Sequence, residues 1–414
     1  MTEMNRRKFL TASVGVGAAG LLAGAASCSW SDLQKATERA KLPDGAGVLV
    51  IVTLYGGNDG LSTVIPFADN AYHDARPELA YAPEEVLPLD PQLGFNPALK
   101  GLHELWEEQK LAIVRGVSYP KPTRSHFRSM DIWQSASPDT WEPTGWIGRW
   151  LDATGDDPVR AINIGAVLPP MAVGLKHTAS ALARDMSPMP AEVSDALDIV
   201  GVDDPRDTAA MSAIRAAYRS SRKFDAALEP VIADGHVTVS GGTNVGGLTA
   251  ADSYGKNPLS AQLNVVSRCV KAAVPSRVYM VSLGGFDTHT DERDTQQQLL
   301  GVVDQALTPF LREMSRDAHG KNVVVMVYSE FGRRVRANAS YGTDHGTAGP
   351  VFVAGQPVKG GFYGEEPSLT DLADGDLKGG TDFRDIYHEL LAKTIGTDPQ
   401  HAVGPGRRDI GFLA

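Results

Sequence analysis

Cysteine is almost missing from this chain of 414 residues, with only Cys28 and Cys269 present. A disulfide-stapled fold is excluded, and if Cys28 is removed or lipidated no intrachain disulfide can form. Cys269 follows Leu259, Leu263 and Val266 in an amphipathic run and reads as a core thiol. Positive charge is also short: 39 Lys and Arg stand against 50 Asp and Glu, a net −11. With no basic stripe to displace counterions, a nucleic-acid groove is excluded. A small anionic substrate is not, because bound metal inverts the field locally. No apolar run is long enough to span a bilayer, and there is no internal repeat or long low-complexity tract.

What is present begins with an address. Asn5-Arg6-Arg7-Lys8-Phe9-Leu10 carries the twin-arginine pattern, and a weakly apolar stretch of small residues runs on to Leu22. Residues 1–28 therefore read as a Tat signal peptide, and the protein as exported to the periplasm, the cell envelope or the medium. Ala25-Ala26-Ser27-Cys28 leaves two readings open: a lipobox modified at Cys28, or ordinary cleavage near Ala26. The first 27 residues set Glu3 against Arg6, Arg7 and Lys8, a net +2, so without them the balance falls to −13.

Short β-branched apolar runs punctuate the rest. Residues 47–54, 111–117, 160–164, 277–283, 322–328 and 350–354 read as strands buried on both faces. Helical patterns lie between them over 97–108, 126–135, 258–273, 296–315 and 385–395. Alternation of this kind predicts an α/β domain over residues 45–400, with a mostly parallel central sheet flanked by helices on both faces. Residues 180–257 break the rhythm, helical over 181–233 and Gly-rich over 241–254, and read as an insertion that caps the domain. Trp133, Trp141, Trp146 and Trp150 are spaced for core packing.

The polar residues cluster just after the apolar runs. Tyr55-Gly56-Gly57-Asn58-Asp59-Gly60 follows the first, Thr123-Arg124-Ser125-His126-Phe127 comes soon after the second, and Gly284-Gly285-Phe286-Asp287-Thr288-His289 follows the fourth. Ser329-Glu330-Phe331-Gly332-Arg333 follows the fifth, and Gly342-Thr343-Asp344-His345-Gly346 comes one loop later. Strand carboxyl ends in a parallel sheet share one edge, so these clusters are predicted to converge there. Asp59, Asp287, His289, Asp344 and His345 then form a mixed oxygen and nitrogen ligand set suited to one or two divalent ions, zinc or manganese before magnesium. Ser125 is the candidate nucleophile, and a serine in that position equally serves as an N-cap. Arg333 and Glu330 are candidates to grip an anionic group and to act as ligand or base, or they pair with each other. Asn58-Asp59-Gly60 also suits a plain turn.

Taken together, the twin-arginine leader, Gly56-Gly57-Asn58-Asp59-Gly60-Leu61, Arg124-Ser125-His126-Phe127, Gly285-Phe286-Asp287-Thr288-His289, Ser329-Glu330-Phe331-Gly332-Arg333 and Gly342-Thr343-Asp344-His345-Gly346 resemble the motifs of one family. This is domain of unknown function 1501, in the alkaline phosphatase-like superfamily with the sulfatases, and the resemblance runs from about residue 47 to 398. It implies two metals around an oxygen nucleophile. Asp59, Ser125, Asp344 and His345 resemble the ligands of one, and Asp287 and His289 part of the other set. His126 and His388 are the candidates for a further histidine. The sulfatase Cys-x-Pro-x-Arg signature is missing, which argues against formylglycine chemistry.

Two functional expectations result. One is an exported metal-dependent hydrolase of small phosphate or sulfate esters. The alternative is a non-catalytic envelope protein on the same fold, binding metal or a partner envelope protein.

Overall fold

The computed structural model describes residues 28, 30–155, 157–165, 167–182 and 257–413. The twin-arginine stretch and most of the 180–257 insertion lie outside the described residues.

The strands in chain order are β1 (Val48–Leu54), β2 (Val64–Ile65), β3 (Leu87–Pro88), β4 (Gly94–Phe95), β5 (Leu111–Ser118), β6 (Ala161–Ile164) and β7 (Ser180–Leu182). After the undescribed segment come β8 (Val278–Leu283), β9 (Val323–Ser329), β10 (Arg333–Ala337), β11 (Thr343–His345), β12 (Gly349–Ala354), β13 (Gly361–Tyr363) and β14 (Thr381–Asp382). Nine of them form the central sheet, in the order β13-β5-β12-β9-β1-β8-β6-β7 with β14 added beside β5. β1 runs parallel to both neighbours, β8 and β9, and β6 runs parallel to β7 and β8. β12 alone is reversed, antiparallel to β5 and to β9. Ser180–Leu182, expected to open a helical insertion, is instead a strand. Its three residues are buried and pair with β6, so the sheet reaches one strand further than the sequence pattern suggests.

β1 is buried at every position, and its side chains alternate between two cores. Val48, Val50, Val52 and Leu54 face one layer. There they meet helix α1 (Trp30–Arg39) through Leu33, α3 (Lys100–Glu107) through Leu102 and Leu105, and α6 (Pro258–Lys271) and α7 (Glu292–Met314). The short helix α2 (Asn70–Ala75) sits outside this layer. Leu49 and Ile51 face the other layer, built from α4 (His126–Ser135), α5 (Trp146–Thr154) and α8 (Phe383–Glu389). Trp133 stacks on Tyr328 and Phe383, and Trp146 lies 4.1 Å from the Tyr387 ring, so these indoles are core; Trp141 is exposed. Cys269 is buried as expected. Cys28 is buried as well, its backbone N–H donating to the Ala181 carbonyl at 2.7 Å, so a lipidated Cys28 would have to leave this position. Among the described residues, no helix is long and apolar enough to cross a membrane.

Because β1, β5, β8 and β9 run in one direction, their carboxyl ends share one edge. Each polar cluster from the sequence follows one of them. Beyond β9 the chain stays at that edge, making the β10–β11 hairpin before it re-enters the sheet as β12.

Candidate metal centre

The loop after β1 turns on glycine. Gly56 has φ +121°, and a Cβ there would lie 2.4 Å from the backbone nitrogen of Asp287. Only glycine lets the loops after β1 and β8 approach this closely. The Gly56 N–H then reaches the buried carboxylate of Glu330, at 2.9 Å from Oε1. Ser329 Oγ donates to Glu330 Oε2 at 3.0 Å, and the ring of His126, at the first position of α4, places Nδ1 2.8 Å from Oε1.

From that anchor, His126 points Nε2 outward to a small group of atoms. His126 Nε2 lies 3.0 Å from His345 Nε2 and 3.4 Å from Asp287 Oδ2. His345 Nε2 lies 2.9 Å from His289 Nε2 and 3.0 Å from Asp287 Oδ1, which is itself 3.0 Å from His289 Nε2. Ligand atoms of His126, Asp287 and His345 all fall within 4.8 Å of one another, as a metal site requires. Of the sequence candidates, Asp287, His289 and His345 therefore come together, and His126 joins them from its place as an extra candidate.

Proton bookkeeping tests whether a cation fits. His345 Nδ1 lies 3.0 Å from the Arg124 carbonyl, which can only accept, so Nδ1 carries the proton. His126 Nδ1 faces the Glu330 carboxylate and is protonated for the same reason. In the neutral rings both Nε2 atoms present lone pairs, and they face each other and a carboxylate. A tetrahedral zinc with ligands at about 2.0–2.1 Å separates neighbouring ligand atoms by roughly 3.3 Å, close to the 2.9–3.4 Å seen here. Histidines whose far nitrogens are held by a carboxylate and a carbonyl are how metal sites fix their tautomers. The residues fit a divalent cation.

The electrostatics agree. Partial burial pushes the Asp287 carboxyl up, but its contacts with the His345 ring and the Arg333 guanidinium outweigh it and hold it at about 2. His126 is raised above its usual value, chiefly by its hydrogen bond to Glu330, against partial desolvation.

Other expected site residues sit elsewhere. Asp344 is exposed at the rim, with Oδ1 3.6 Å from His289 Nδ1 and 3.3 Å from Asn338 Nδ2. Arg333 is buried and bonded inward. Nε donates to Gly57 O (2.7 Å), Nη1 to Thr343 O (2.9 Å), and Nη2 to Gly56 O, Phe286 O and Asp287 Oδ1 (2.5, 2.9 and 2.8 Å). It ties three loops together and steadies Asp287, and with its side chain 0% exposed it faces inward and not toward an anionic substrate. Glu330 is likewise committed to Gly56, Ser329 and His126, so it acts through His126 and does not pair with Arg333. His388 faces Asp409 at 3.5 Å and stands apart from the cluster. Ser125 is the N-cap residue of α4, yet its hydroxyl makes no capping bond and the residue is exposed.

Asp59 is the main departure. It is wholly buried and forms a two-pronged pair with Arg76, Nη1 to Oδ2 and Nη2 to Oδ1 at 3.0 Å, while Oδ1 also accepts the Leu61 N–H. Close by, Glu292 is equally buried, and its Oε2 accepts from Thr343 Oγ1 at 2.5 Å. Burial and the neighbouring Asp59 charge hold the Glu292 carboxyl well above its ordinary range. No motif marks Arg76 or Glu292, and an arginine on a short helix end looks like surface until its partner is known.

A groove of about 980 Å³ is lined by Tyr119, Lys121, Thr123 and Arg124 together with Asp376 and Lys378; it shares no residue with the cluster and is tied to it through the Arg124 carbonyl that faces His345. Within its lining Arg124 pairs with Asp374 and Asp376.

The sequence model of one family, described as "Protein of unknown function (DUF1501)", matches residues 116–412. No curated protein matches the chain. Among solved structures, a protein in the alkaline phosphatase superfamily from Vibrio parahaemolyticus is similar at 12% identity and a TM-score of 0.40, over 100% of this chain and 80% of that one. The lipoteichoic acid synthase LtaP from Listeria monocytogenes is similar at 10% identity and 0.35, over 91% and 80%. The alkaline phosphatase from the Antarctic bacterium TAB5 is similar at 13% identity and 0.34, over 77% and 95%.

Proposed function

The chain belongs to the DUF1501 family, and from the site it carries we propose that it is an exported, metal-dependent hydrolase of phosphate or sulfate esters. One observation carries the reading: three histidine Nε2 atoms and the Asp287 carboxylate converge, with the far nitrogens of His126 and His345 held by acceptors. His126, Asp287, His289 and His345 would hold the ion, and a donor set this rich in imidazole favours zinc, with manganese next. A divalent ion held there supplies Lewis-acid polarisation of an ester oxygen.

The chain's own residues supply the rest. Ser125 is offered as nucleophile, since its hydroxyl is exposed and free of capping duty. The free N–H groups of the first turn of α4 favour the negative charge of a phosphate or sulfate beside it. Asp287 is kept ionised, and Glu330 and the Arg124 carbonyl keep His126 and His345 in the tautomer a ligand needs. The groove that begins at Thr123 and Arg124 would lodge the alcohol portion of the ester.

A second reading is favoured by one feature: Arg333 and Glu330, the two groups expected to work on substrate, are spent on internal bonds. On that reading the same centre serves a non-catalytic envelope protein. Purified protein, zinc-loaded or chelated, assayed on aryl phosphate and aryl sulfate esters tests the choice. The hydrolase reading expects turnover that needs metal and falls at least 100-fold in Ser125→Ala, on the scale of losing a nucleophile. Tight zinc binding without turnover on either ester class would leave the non-catalytic reading standing.

A further inference from the structure

We propose that the centre takes a single divalent ion, because the guanidinium of Arg76 already stands, as a cation built into the chain, where a second ion would need Asp59. The inference rests on the reading of the centre given above. The family resemblance implies two metals, with Asp59 serving one of them. The residues present do not fit that arrangement.

Both Asp59 oxygens face Arg76, and one also accepts the Leu61 N–H. Arg76 in turn is held from all sides. Nε donates to Val335 O at 2.8 Å, Nη2 to Arg334 O at 2.7 Å, and Nη1 reaches Ser62 Oγ at 3.3 Å. Both side chains have 0% exposure. An ion approaching Asp59 would have to expel a guanidinium that has no path to water, leaving it buried without its counter-charge. The fork geometry satisfies the carboxylate as a metal would, but permanently.

This gives Asp59 and Arg76 a definite role. Arg76 reaches across from α2 to the backbone of β10, whose Arg333 faces His345 in the hairpin. The pair locks the loop after β1 to the hairpin that presents His345. Both are positioning residues, and neither touches an ion.

Full-length protein is stripped with chelator and titrated with zinc alone by calorimetry, and the metal retained after gel filtration is measured by elemental analysis. One equivalent per chain is expected. His345→Ala is expected to abolish tight binding. Asp59→Asn, if folded by circular dichroism, is expected to keep a stoichiometry of one equivalent, because the pair orients the hairpin and contributes no ligand atom. The wild-type stoichiometry stands as a test even if that variant does not fold. Cobalt(II) substitution gives an independent readout, with a spectrum that saturates at one equivalent. Two tight equivalents, the second lost in Asp59→Asn, would overturn the single-ion proposal while leaving the centre intact. Zero equivalents in the wild type would overturn the centre itself, and this inference with it.

Discussion

Glu330 decides how His126 behaves, and replacing it separates charge from orientation. The carboxylate accepts from Gly56 N–H, Ser329 Oγ and His126 Nδ1 at once. Glu330→Gln keeps the shape and one acceptor oxygen for His126 Nδ1–H. Its amide can turn toward Ser329 Oγ, whose single proton can swing from the carboxylate to Leu54 O, 2.7 Å away. What disappears is the negative charge that makes the ring a stronger donor of its Nε2 lone pair. Loss of such an outer partner costs roughly 10–100-fold in metal affinity. The isosteric change belongs at the lower end, about tenfold, or about 1.4 kcal/mol. Glu330→Ala removes both charge and alignment and belongs near 100-fold. It also leaves the Gly56 N–H buried without an acceptor, a further cost of about 1–3 kcal/mol to folding. Competition with a chromophoric zinc chelator reads the affinities, and urea unfolding of the chelated proteins reads the stability. The expected pattern is graded for metal and confined to alanine for stability of the metal-free fold. Wild-type affinity in both variants would refute the placement of His126 as a ligand.

Zinc at about 100 times its dissociation constant should add ~2.7 kcal/mol to unfolding, seen as a rise in Tm that chelator reverses; His345→Ala should lose that rise. Stability should also fall with pH through Glu292. Its folded carboxyl is raised, so the folded state holds a proton that the unfolded chain releases near its ordinary value, and the contribution is complete below that value and lost as pH climbs through the folded one. Urea midpoints across about pH 5 to 9 should flatten in Glu292→Gln, and an unchanged slope would contradict the assignment. Ile51→Ala, at a fully buried point of the central strand, should cost about 2–5 kcal/mol while leaving zinc stoichiometry at its wild-type value.

Much of this architecture was readable in advance because the strands are buried on both faces. A run such as Val48–Leu54 leaves little else to be, and each of the six strand patterns lies on a strand of the central sheet. The shared edge followed from parallel running, so the convergence of Asp287, His289 and His345 was within reach. Asp59 was misplaced for a reason pattern cannot supply. A carboxylate after a strand looks the same whether its partner is an ion or an arginine 17 residues on, and only the fold brings Arg76 across. Arg333 and Glu330 read equally as groups facing an anion or as partners of each other, because the sequence does not show which loops enclose them. Here both side chains are buried beneath the loops after β1 and β8, where Arg333 donates to the Gly57, Thr343, Gly56 and Phe286 carbonyls and to Asp287, and Glu330 accepts from Gly56. His126 was undervalued because its worth depends on which nitrogen Glu330 holds, a fact of position and not of composition.

The reversed strand β12 has a consequence for how this rim could be assembled at all. Two adjacent strands running the same way need a crossover of a dozen or more residues, usually a helix that carries the chain to the opposite edge and back. Since β12 runs against β9, the polypeptide never departs. Residues 330–348 join β9 to β12 without a crossover, so the whole connection can shape one place. A single break in the parallel rule thus gives this protein an uninterrupted stretch in which Glu330, Arg333 and His345 are neighbours along the chain as well as in space.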